Sequence, residues 1–162
     1  MSRLYLITGP AGVGKSTVCN ILAKKLNKSV LIEGDDLYHM VKGGYVSPWK
    51  ENNHLDLFWK NVINIIRNSL EAGYDVVFNY VIKNTDYLRL KNQFKDYEVI
   101  FRVLLANEDE LLKRDKTRAF DCQMKERCLI LLEEFKNEPF EDRFIIDSTD
   151  LSAEDTADRI MR

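Results

Sequence analysis

The stretch GPAGVGKST, Gly9 to Thr17, stands between an apolar run, LYLIT, and an amphipathic run, VCNILAKKL. Its glycines, lysine and hydroxyls match the spacing G-x-x-x-x-G-K-[ST], with a strand before it and a helix after it. Glycine lets a backbone turn through positive φ and press its N–H groups onto an anion. A helix beginning near Lys15 aims the positive end of its dipole at the same place. The stretch therefore demands a strand–loop–helix unit that cradles phosphate. Its wall is expected to be Gly9, Pro10, Ala11, Gly12, Val13, Gly14, Lys15, Ser16 and Thr17. Lys15 should reach the β- and γ-phosphates of a nucleotide and Ser16 should ligate Mg²⁺. Thr17 offers a second hydroxyl near the α-phosphate.

A strand that feeds such a loop needs neighbours, and the rest of the chain supplies them. Short β-type runs alternate with helical periods. Strands are expected at 3–8, 29–34, 75–82, 98–106 and 143–147. Helices are expected at 16–26, briefly from Asp36, from Leu55 to a C-cap at Gly73, and at 84–94 with Asn84 or Thr85 as N-cap. Further helices follow at 107–118, through the stripe Met124, Cys128, Leu131 and Phe135, and at 152–161. Five strand–helix alternations predict an α/β fold: a parallel sheet with helices on both faces and right-handed crossovers. With 162 residues and no linker, one domain spanning 1–162 is expected.

Charge and cysteine usage narrow the chemistry. The formal net charge is −2, so no global basic field draws in nucleic acid or anionic lipid. No apolar run is long enough to cross a bilayer, and the start is not a secretion signal. Cys19, Cys122 and Cys128 form neither a disulfide framework nor a zinc pattern, and reduced thiols in a cytoplasmic protein are expected.

Open parallel sheets bind ligands beyond the carboxyl ends of their strands. Those ends carry Glu33, Asp35 and Asp36, then Asn79 and Tyr80, then Asn107, and last Asp147. A carboxylate beside the γ-phosphate can orient and deprotonate an acceptor hydroxyl, and can hold Mg²⁺ through water. Asp35 and Asp36 are the candidates. Adjacent residues diverge, so one of them faces the site, and the other reading makes one the N-cap of the following helix. The segment LYHMVKGGYVSPWKENN after them is rich in aromatic and hydrogen-bonding groups. It either shapes an acceptor pocket, about 36–72, or packs as an excursion of the core. Arg67 either points at an anionic acceptor or is solvated.

KRDKTR, 113–118, carries four basic side chains in six positions. Arg114 and Arg118, four apart, are expected to share a helix face. Arginines that close on a transferring phosphoryl group stabilise its equatorial charge, and Arg127 is a third candidate. The alternative is a solvated charge run with Asp115 paired locally.

Together GPAGVGKST (9–17), GDDLYH (34–39), LLKRDKTR (111–118) and IIDSTDLSAEDTADRI (145–160) resemble small P-loop kinases of the nucleoside monophosphate kinase superfamily. The likeness is to the gluconate kinase, shikimate kinase and chloramphenicol phosphotransferase group. It implies a three-layer P-loop NTPase fold with strand order 2-3-1-4-5. It also implies a short lid over ATP at about 113–123, and Ser148 and Thr149 beside the adenine. It favours Asp35 as the residue facing the acceptor. The chain departs from the pattern in carrying Asn79 where many P-loop proteins have a metal-handling aspartate.

The expected activity is ATP- and Mg²⁺-dependent phosphoryl transfer to a hydroxyl of a small molecule: a sugar acid, a nucleoside or an antibiotic-like acceptor. Lys15, Asp35, Asp36, Arg114, Arg118 and Arg127 are the expected catalytic residues. The nucleotide-binding set is 9–17 with Arg114, Ser148 and Thr149, and Ser16 and Asp35 are on the metal. The expected protein is a monomer or weak homodimer with no nucleic-acid or membrane partner. The rival is a nucleotide-binding regulator or weak ATPase with no acceptor.

Overall fold

The computed structural model describes residues 1–162 apart from the side chain of Cys122. Five strands form one parallel sheet: β1 (Arg3–Thr8), β2 (Ser29–Glu33), β3 (Asp75–Asn79), β4 (Glu98–Leu105) and β5 (Ile145–Asp147). Their order is β2-β3-β1-β4-β5, as the resemblance implied. Seven helices surround it: α1 (Lys15–Lys25), α2 (Gly34–Tyr38), α3 (Leu55–Glu71), α4 (Asn84–Gln93), α5 (Glu108–Lys116), α6 (Glu126–Asn137) and α7 (Ala153–Met161).

Strand periodicity makes the three layers. Side chains alternate faces along a strand. In β1, Leu4 and Leu6 join one core with Val76, Phe78, Phe58, Trp59, Val62 and Ile66. Tyr5 and Ile7 join the other with Val18, Cys19, Leu22, Val77, Leu111 and Ile160. The first core is strongly aromatic: Phe58 lies 4.5 Å from Tyr80, and Tyr87 stacks on Phe101 at 4.3 Å. Such pairs add about 0.5–1.5 kcal/mol each beyond area burial.

Gly73 ends α3 as expected, at φ 80°. Gly73 N–H donates to Leu70 O and Tyr74 N–H to Ser69 O, so two orphan carbonyls are satisfied by a Schellman turn. Other expectations are corrected. β3 stops at Asn79 rather than 82 because the buried Thr8 hydroxyl takes over: its Oγ1 accepts from Ile82 N and donates to Ile82 O. β5 starts at Ile145 because 142–144 coil into a 3₁₀ turn that carries Phe144 against Tyr87 and Phe101. Lys83, not Asn84 or Thr85, holds the cap position of α4, and its N–H donates to Asp86. Leu131 is only half-buried, and Leu132 fills the core in its place.

Candidate active site

β1 delivers the phosphate loop at the sheet's carboxyl edge. Gly9 (φ 149°) is compulsory because a Cβ there would stand 2.3 Å from Leu104 O. Gly14 (φ 97°) precedes the first turn of α1 with no side-chain cap, so the helix's first N–H groups stay free for an anion. Lys15 Nζ folds back across the loop and donates to Gly9 O (2.8 Å) and Pro10 O (3.0 Å). Burial lowers its pKa to about 8, against the opposing pull of Asp35. This is a cation held in poor surroundings, ready for a counter-charge.

β2 brings a carboxylate to the same place. Glu33 Oε2 accepts from Asn79 Nδ2 (2.5 Å) and from Ser16 Oγ (3.3 Å), and Asn79 Nδ2 also reaches Ser16 Oγ (3.0 Å). Burial raises the Glu33 pKa, with the Asn79 and Ser16 hydrogen bonds opposing and the nearby Asp36 and Asp35 charges adding to it. Asn79 Oδ1 is buried and has no partner. An orphaned carbonyl oxygen beside a hydroxyl and a carboxylate suits a water in the shell of a hard cation. Among the described residues no three His, Cys, Asp or Glu side chains gather as a protein-only metal site. The donor set therefore fits Mg²⁺ held on phosphate oxygens and water rather than in a protein cage.

Asp35 and Asp36 both lie in the first turn of α2, so neither is its N-cap; Glu33 occupies that position. Gly34 is demanded by packing, since a Cβ there would meet Tyr80 Cδ2 at 2.5 Å. Both aspartates are exposed, but their fields differ. Asp35 acts on Lys15 and on Tyr80, whose pKa is raised first by burial and then by the Asp35 charge.

The expected arginine face is corrected. α5 ends at Lys116, so Arg118 lies beyond the helix. The chain turns there because the Asp115 carboxylate, 2% exposed, accepts from Met124 N and Lys125 N. Burial pushes the Asp115 pKa up, but those N–H groups outweigh it and hold the carboxyl below its usual range. Arg114 is a strut: Nε donates to Glu110, Nη1 to Val13 O and Ser148 Oγ, and Nη2 to Ser148 O at 2.7 Å. It ties the phosphate loop to the 148–149 turn, where Thr149 bonds Asp147 and Asn107. Arg118 makes one 3.5 Å contact with Asp115 and is 40% exposed. Arg127 stacks on the exposed Trp49 ring at 4.5 Å with its Nε buried and unpartnered. Arg67 lies over Phe94. Cys19 and Cys128 are buried free thiols, and the Cys122 side chain lies outside the described residues.

Glu33 is the site residue that sequence reasoning left out of its set. The available signal was the spacing Glu33-x-Asp35 across a strand end.

A family model described as an AAA domain matches residues 6–140. The chain belongs to that family. A guanylate kinase from Fusobacterium nucleatum is 25% identical over 168 residues, covering 91% of this chain and 89% of the relative. The solved Deinococcus radiodurans tunicamycin resistance protein is 25% identical, with TM-score 0.69, covering 99% of this chain and 94% of that one. A gluconokinase from Sinorhizobium meliloti superposes with TM-score 0.67 at 17% identity over 96% of this chain and 87% of its own. The chain is thus a small P-loop protein of the nucleoside monophosphate kinase type, bound to the nucleotide-binding P-loop NTPase fold along almost its whole length. Among the described residues no helix is long and apolar enough to cross a membrane.

Proposed function

We propose that this protein is a kinase that moves the γ-phosphoryl group of ATP to a hydroxyl of a small molecule. The observation that carries the reading is the phosphate loop, where Lys15 Nζ lies on the Gly9 and Pro10 carbonyls and Ser16, Glu33 and Asn79 are joined by hydrogen bonds beside it. The kinase names among its relatives support phosphoryl transfer in general.

Lys15 leaves the Gly9 and Pro10 carbonyls and takes up β- and γ-phosphate oxygens, which restore its full charge. The acceptor oxygen bonds to phosphorus as the β,γ-bridging bond breaks, ADP leaves, and the hydroxyl proton passes to Asp35. Bound Mg²⁺ would neutralise charge on the β- and γ-oxygens. Ser16 would hold it, with Glu33 and Asn79 orienting its water. Asp35 is thereby freed for the acceptor, and Asp36 adds negative field behind Glu33. Arg118, poorly anchored, swings onto the transferring group, with Arg127 behind it. Arg114, Ser148 and Thr149 form the adenine-side wall. The short lid at about 113–123 excludes water.

ADP release with and without acceptors, with the phosphorylated product identified by mass spectrometry, tests the reading. Acceptor-dependent turnover is expected. The rival regulator or weak ATPase draws support from Asn79, which brings no charge to the metal. Nucleotide binding that no acceptor stimulates would favour it.

A further inference from the structure

Resting on the reading that Arg118 meets the transferring phosphoryl group, we infer that Asp115 is the positioning residue for that arginine: it pins the base of the lid against the back of the phosphate loop.

α5 touches consecutive residues of the loop. Arg114 Nη1 donates to Val13 O at 3.0 Å. One position on, Asp115 backs Gly12, whose φ is 83°: a Cβ there would stand 3.5 Å from Asp115 Cβ and 3.4 Å from Cys128 Sγ of α6. The chain leaves α5 at Lys116 and re-enters a helix at Glu126, so both ends of the lid are fastened where the phosphate loop rests.

The fastening is the carboxylate itself. Asp115 Oδ2 accepts from Lys125 N at 2.8 Å, and both oxygens accept from Met124 N, at 3.0 and 3.1 Å. A buried carboxylate is costly without donors, and backbone N–H groups at this range are strong ones. Lys125 arrives at φ 47° and ψ −125°, where residues with a side chain are rarely found. Such a conformation persists only where its surroundings impose it. Here they are the bonds to Asp115 on one side and Cys128 N–H donating to Lys125 O on the other. Gln123 Nε2 closes the lid from within, donating to Lys116 O (3.3 Å) and Arg118 O (3.1 Å). An asparagine could not replace Asp115: it has one acceptor oxygen, and its NH₂ would face the N–H groups of 124 and 125.

Arg118 is held more firmly by its backbone than by its side chain. Its N–H donates to Asp115 O at 3.1 Å, whereas Nη1 lies 3.5 Å from the carboxylate. A bond that long is weak, so the guanidinium can leave for a phosphoryl group while its Cα stays in place. After burial, the Arg118 charge is a further influence lowering the Lys15 pKa, which puts the guanidinium within electrostatic reach of the loop.

The test is calorimetry with Mg²⁺, comparing ADP with ADP–fluoroaluminate, a mimic of the transferring group that needs no acceptor. The unaltered protein should bind the mimic at least about tenfold more tightly than ADP. Arg118→Ala and Asp115→Asn should each reduce that preference by about tenfold, with ADP affinity held within about twofold. The double variant should lose no more than Arg118→Ala alone, since the two residues act as one unit. Losses that add, or ADP affinity that falls in step with the mimic, overturn the inference and leave the kinase reading standing. Should Asp115→Asn not fold, Gln123→Ala loosens the same base from the lid side. A selective loss of the mimic that vanishes in the Arg118→Ala background is then expected, and an unchanged preference overturns the inference. An unaltered protein that binds ADP and does not prefer the mimic overturns both.

Discussion

The phosphate loop and the apolar cleft between α2 and α3 are built from different materials. The loop is backbone: glycine φ angles, free N–H groups at the start of α1, and a lysine folded onto two carbonyls. The cleft is side chain: Leu37, Tyr38, Leu57 and Phe58 brought together from two helices. Backbone geometry tolerates almost no substitution, as the Gly9 contact with Leu104 shows. An apolar wall tolerates many substitutions, provided that volume and patterning are kept. One scaffold can thus hold its phosphate loop fixed while the side chains of its apolar cleft vary.

Asp35→Asn is the sharpest way to break this division. It should lower kcat roughly 10²–10⁴-fold, the worth of a positioned base, while ATP affinity moves only a few-fold. Steady-state kinetics beside calorimetric ATP binding reads both; an equal loss in each would place Asp35 in the nucleotide site. Gly34→Ala comes next. Its Cβ would collide with Tyr80, so a loss of about 1–3 kcal/mol is expected by denaturant unfolding. An acceptor KM that rises more than the ATP KM would put the strain on the acceptor side.

The pH dependence probes the loop. The folded Lys15 pKa of about 8 lies below its ordinary 10.5, so the unfolded chain binds the extra proton between those values. Stability from this group therefore grows as pH rises through that window. Nucleotide binding needs the charged lysine and runs the other way. ATP affinity should fall roughly tenfold from pH 7 to 9, with proton uptake on binding visible in calorimetry across buffers. Lys15→Met should abolish that uptake. The smallest effect belongs to Trp49→Ala, which removes the exposed stack under Arg127, worth about 0.5–1 kcal/mol. A few-fold rise in acceptor KM is expected. No change would show that the lid and the acceptor segment work independently.

The two strands whose bounds differ from the local pattern, β3 and β5, share a cause. β3 ends early because Thr8, 74 residues away, captures Ile82, and β5 starts late because Phe144 is drawn into an aromatic cluster built by α4 and β4. Arg118 left its expected helix face because Asp115 gathers N–H groups from 124 and 125. Local pattern carries no trace of such distant partners.

From the order of residues alone came everything local or periodic: the anion loop, the two-faced strands, the layered α/β architecture and the acidic strand end. Those features depend on φ preference, side-chain alternation and spacing, all properties of short segments. Tertiary structure decided the rest. It joined Glu33 to Asn79 and Ser16, made Arg114 a strut, and enclosed the cleft between α2 and α3. Electrostatic coupling and desolvation depend on distances through space, and only the folded chain sets those distances.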